Sequence, residues 1–112
     1  MQSRDNYEYA AEKFDNARKY LERSHSEGDV LIADAFHECS HGLHNLNTDD
    51  LDDGARESLR KLKELMDTTG LADPSLGDLC IMKAGLLTPD QKVELSGVVN
   101  YLANWFDAKS RE

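Results

Sequence analysis

Apolar residues recur along this chain at intervals of three and four, the spacing of one face of an amphipathic helix. The first run is Tyr7, Ala10, Phe14, Ala17 and Leu21. Asp5 stands where an N-cap belongs and Glu8 follows at capping-box distance. Gly28 predicts the end of this helix, because glycine tolerates the left-handed conformation past a terminus. Asp29 is the expected cap of a second helix, whose core stripe is Ile32, Phe36, Cys39, Leu43 and Leu46. A third stripe follows on Leu51, Ala55, Leu59, Leu62 and Met66, with Leu65 beside it. Thr48 is its expected cap. Asp49, Asp50, Asp52 and Asp53 crowd the start, where the helix terminus carries partial positive charge. Thr68-Thr69-Gly70 closes it.

Asp73-Pro74 predicts a short fourth helix, with proline at the first position where a missing N–H is harmless. Leu76, Leu79, Cys80 and Met82 are its inward residues, Gly85 its stop, and Leu86 and Leu87 a connector. Thr88-Pro89-Asp90-Gln91 caps a fifth helix. It runs to about residue 108 on Leu95, Val98 or Val99, Leu102, Trp105 and Phe106. No strand-like alternation and no repeat interrupts the series. The predicted fold is all-α: a compact bundle of four long helices and one short helix, in a single domain over residues 1–112.

The start of the second helix is more apolar than one core requires. Val30, Leu31 and Ile32 point in three directions, and a single core accepts about two of them. Val30 or Leu31 is therefore expected to meet a second chain. Val30, Leu31, Ala33, His37 and His41 together make a half-apolar patch without formal charge, which suits a protein–protein contact.

The same helix contains His37-Glu38-Cys39-Ser40-His41, a literal H-E-x-x-H. In zinc proteases two such histidines bind the metal and the glutamate is the general base. His44 is the local candidate for a third ligand; Glu57 and Glu64 are the downstream ones. The longer protease signature fails, since its glycine position is His44 and its final histidine position is Asn47. The upstream chain reads as helix, where such enzymes place a sheet. The histidines also fall opposite the Ile32–Phe36–Cys39–Leu43 stripe. A metal site on His37, His41 and His44, or a zinc-dependent hydrolase using the HECSH segment, is thus the alternative reading. The principal one has no cofactor and no catalytic residue. The aspartates at 49–53 do not make a calcium loop: with Gly54 at loop position six, position twelve is Arg60.

The formal net charge of -9 repels a phosphate backbone and an anionic membrane surface. It favours a protein partner with a neutral or basic face. Residues Met1 to Asp5 lack the apolar core of a signal peptide, and no apolar run approaches the roughly 20 residues that span a bilayer. A cytoplasmic protein is expected, with Cys39 and Cys80 reduced.

Small size, acidic charge, five helices and the apolar Val30-Leu31-Ile32 segment resemble the QslA-like quorum-sensing antiactivators of bacteria. The resemblance implies a non-enzymatic regulator that sequesters a transcription factor and is itself a homodimer. The Tyr7–Leu21 helix is also similar to the opening helix of nucleotide-binding HEPN domains, but their R-x4-H signature is absent. The function expected from the sequence is therefore a regulatory binding protein, an antiactivator of a quorum-sensing transcription factor by resemblance.

Overall fold

The computed structural model describes residues 4–44, 46, 49, 51–70 and 79–111, without the side chains of residues 4–6 and 25. Among these residues run five helices and no strand: α1 (Arg4–Glu27), α2 (Val30–Leu43), α3 (Asp53–Met66), α4 (Leu79–Leu86) and α5 (Pro89–Ser110). The two longest, α1 and α5, pack along each other; α2 lies on α1, α3 on α5, and α4 on α2. This is the all-α bundle that the three-four periodicity implies.

The core forms where the stripes meet. Phe14 of α1, Phe36 of α2 and Phe106 of α5 are all fully buried, and the rings of Phe14 and Phe106 lie 5.2 Å apart. Ile32, Cys39, Leu59, Leu62, Leu95, Val99 and Leu102 complete it. No described residue buried in the core is polar or charged, so burial of apolar surface drives the packing without compensating hydrogen bonds. Gly42 lets α1 and α2 approach closely. A Cβ there would sit 3.1 Å from both the Phe14 ring and the Cβ of Lys13.

Several helix ends differ from the sequence expectation. Gly28 does end α1, with φ +103°, but the α1 backbone already begins at Arg4, so Asp5 lies inside the helix; its side chain is outside the described residues. Asp29 makes no side-chain cap bond to α2. Its carboxylate instead accepts from Lys92 Nζ at 3.0 Å, tying the start of α2 to the start of α5. The cap of α3 is Asp52, which accepts from the Ala55 N–H at 2.8 Å. Thr48, the expected cap, lies outside the described residues, as do Asp73-Pro74 and Leu76. Helix α4 runs through Gly85 to Leu86, and α5 extends to Ser110. The Thr88–Gln91 capping box is present as read: Gln91 N–H donates to Thr88 Oγ1 at 3.1 Å, and Thr88 N–H to Gln91 Oε1 at 2.9 Å.

Candidate protein-binding surface on the second helix

Packing between α1 and α4 buries most of the circumference of α2. Ile32, Ala35, Phe36 and Cys39 enter the core, and Leu31 and Ala33 are buried on its flanks. One narrow strip stays open. Val30, Asp34, His37 and His41 follow one another at intervals of four, three and four, so they share a side of the helix. Val30 is 50% exposed, His37 and His41 are exposed, and Asp34 is half-buried.

Leu31 and Ala33, expected in the contact patch, are thus taken up by this chain's own packing. Burial answers the question of the three apolar directions. Leu31 and Ile32 are satisfied internally, and Val30 is the one left over.

Helix α4 widens the surface. It carries a single charged residue, Lys83, and a helix that is apolar nearly all round cannot bury every side. Ile81 remains 45% exposed and Leu86 63% exposed. Neither was singled out by the sequence reading, which placed Leu86 in a connector. The near-absence of charge in Leu79–Leu86 was the available signal. With Val30, these residues give two packed helices an outward apolar character that is unusual on so acidic a chain.

In the H-E-x-x-H string the glutamate has a partner on α1. The Glu38 side chain is only 18% exposed, and its carboxylate turns to α1, where Lys13 Nζ stands 3.6 Å away. Lys13 also lies over the Tyr9 ring, 5.5 Å from its centre. A glutamate held beside a lysine is poorly placed to take a proton from a metal-bound water on the histidine strip. His44 is exposed, but α2 ends at Leu43 and His44 adopts an extended backbone, φ -63° and ψ 129°. It has therefore left the helical series that would align it with His41. Among the described residues, no three His, Cys, Asp or Glu side chains converge to hold a metal ion. Burial pushes the Cys39 thiol far up, and the nearby Glu38 charge adds to this. The thiolate, which is the nucleophile and metal ligand, is suppressed there.

A concavity of about 440 Å³ lies between α1 and α5, lined by Glu8, Glu12, Asp15, Arg18 and Asp107 among others. Arg18 is part of its wall. It pairs with Asp15 and donates to Asn100 and Asn104 at 3.3 and 3.4 Å. These bonds cross-link the two long helices, a structural role.

Among the described residues, no helix is long and apolar enough to cross a membrane. Compared with protein-family models, with curated proteins and with solved structures, the chain matches none. The class that fold and surface define is an acidic helical bundle with one weakly charged face.

Proposed function

We propose that this protein is a non-enzymatic regulator that binds and sequesters a partner protein through the α2–α4 surface. The observation that carries the reading is Val30: a valine 50% exposed on a helix whose other apolar residues are covered. His37 and His41 share its side of α2 with one charged residue, Asp34, and the neighbouring helix α4 adds the exposed Ile81 and Leu86. Protein interfaces are depleted of charge at their centres in this way. The acidic remainder of the surface favours a partner with a basic rim, since complementary charge steers encounter. Taken with the resemblance to quorum-sensing antiactivators, the partner class is a cytoplasmic transcription factor.

The pairing of Glu38 with Lys13 favours binding over turnover. The test is affinity capture from the source cells, with the parent chain and the Val30→Arg variant compared by mass spectrometry. A partner retained by the parent and lost by Val30→Arg supports the surface. Equal retention by both places the interface elsewhere.

A further inference from the structure

His37 and His41 sit four residues apart on the open side of α2, both exposed. On a helix that spacing leaves side-chain origins about 5–6 Å apart, and two such histidines can hold one zinc ion together. Zinc in a closed site takes four ligands in a tetrahedron. Among the described residues, α2 supplies two. Glu38 is turned to Lys13, His44 has left the helix, Cys39 is buried, and no third acidic, cysteine or histidine ligand converges among the described residues.

The missing pair is available from one source of matching geometry. A second copy, related by a two-fold axis through the metal, presents the same His37 and His41 from the opposite side. A two-fold interface is self-complementary, so each chain contributes the same residues. The strip suits this approach. Two chains of formal charge -9 repel, and the α2 strip carries one charge, on Asp34, so contact along it brings few like charges together. Zinc bound by four neutral imidazoles keeps its two positive charges, which oppose the two Asp34 carboxylates of the pair.

We propose that His37 and His41 form half of a zinc site which a second copy of this chain completes, so that zinc joins two molecules along α2. The proposal rests on reading α2 as a contact face and names a second copy as one occupant of it.

The test uses the full chain purified without a polyhistidine tag. Zinc chloride is titrated in while sedimentation velocity and bound zinc are followed. The expected result is conversion from monomer to dimer, complete at one zinc per two chains, and reversed by EDTA. His37→Ala and His41→Ala should each abolish the shift, with circular dichroism showing an unchanged fold. His41→Cys, which restores a zinc ligand, should recover it. Three results overturn the proposal: sedimentation unaffected by zinc, one zinc per chain without association, or association that survives in both alanine variants. Absence of the zinc response while Val30→Arg still abolishes partner capture defeats the bridge alone. A zinc-dependent dimer with partner capture insensitive to Val30→Arg defeats the sequestration surface alone.

Discussion

Trp105 of α5 donates its indole N–H to Asp52 Oδ2 at 3.0 Å, while the other oxygen of Asp52 caps α3 at the Ala55 N–H, 2.8 Å away. One carboxylate therefore holds the start of one helix and the side chain of another. Trp105 is the sole tryptophan, so its fluorescence reports this junction. Asp52→Ala should lower the urea midpoint and shift the emission spectrum together. Asp52→Asn keeps one capping oxygen but loses the charge and, with an NH2 in place of the second oxygen, one of the two bonds, so it should fall between the parent and Asp52→Ala. An Asp52→Ala protein with parental midpoint and spectrum would show that α3 and α5 are joined by apolar contacts alone.

The same carboxylate predicts an acid response. The backbone N–H of Ala55 and then the indole of Trp105 hold Asp52 below its ordinary value of 3.8. A group whose folded value is depressed contributes stability above the unfolded value and loses it as pH falls through the folded one. The urea midpoint should decline as pH drops below about 4, and the decline should be shallower in Asp52→Ala. Asp15, whose carboxylate burial pushes up but Lys19 and Arg18 together pull below its ordinary value, adds to the slope in the parent. Identical pH profiles for parent and variant would remove Asp52 from this account.

Phe36→Ala should destabilise the fold by about 3–5 kcal/mol, the usual range for a fully buried phenylalanine. The side chain has no exposed surface and sits where α2 meets the core. Urea unfolding gives the number directly. A loss below about 1 kcal/mol would mean that the site collapses to fill the space.

Gly42→Ala is a sharper test of the α1–α2 contact, because two effects of opposite sign compete. Alanine favours an exposed helix interior over glycine by about 1 kcal/mol. Here the added methyl meets the buried Phe14 ring and the Cβ of Lys13 at 3.1 Å, and overpacking costs about 1–3 kcal/mol. Neither neighbour is the free end of a flexible chain, so a net loss of stability is expected. A net gain would show that α1 yields without strain.

The two arginine substitutions at the start of α2 should now part company. Val30→Arg places a charge on an exposed site and should change stability by less than about 0.5 kcal/mol. Leu31→Arg forces a charge into a position only 9% exposed and should cost several times as much. Chemical denaturation of both variants decides it. Equal, small losses would put Leu31 at the surface, where the sequence alone had placed it.

How much was legible follows from what periodicity encodes. The stripes of α1, α3 and α5 were readable because each helix buries a single face. That face appears in the sequence as three-four spacing, ending in the full burial of Phe14, Leu62 and Phe106. The Thr88–Gln91 capping box was readable because its partners are three residues apart. Asp29 misled for the complementary reason. Its carboxylate is claimed by Lys92, 63 residues further on, and no local pattern announces so distant a partner. Asp52 was one of four aspartates near the start of α3, and only its proximity to Trp105 distinguishes it from the others.

At the candidate surface the division is the same. The sequence by itself determined an all-α, strongly acidic chain, an excess of apolar residues at Val30-Leu31-Ile32, and histidines on the far side of α2 from its core stripe. Those are properties of order along a helix, and helix geometry converts them directly into faces. Only the tertiary structure decided that Leu31 and Ala33 are covered while Val30 is not, that Ile81 and Leu86 stay exposed on α4, and that Glu38 faces Lys13 of α1. Each of these depends on which helix lies against which. That is settled by how α1 and α4 close around α2, and one helix's sequence carries no record of its neighbours.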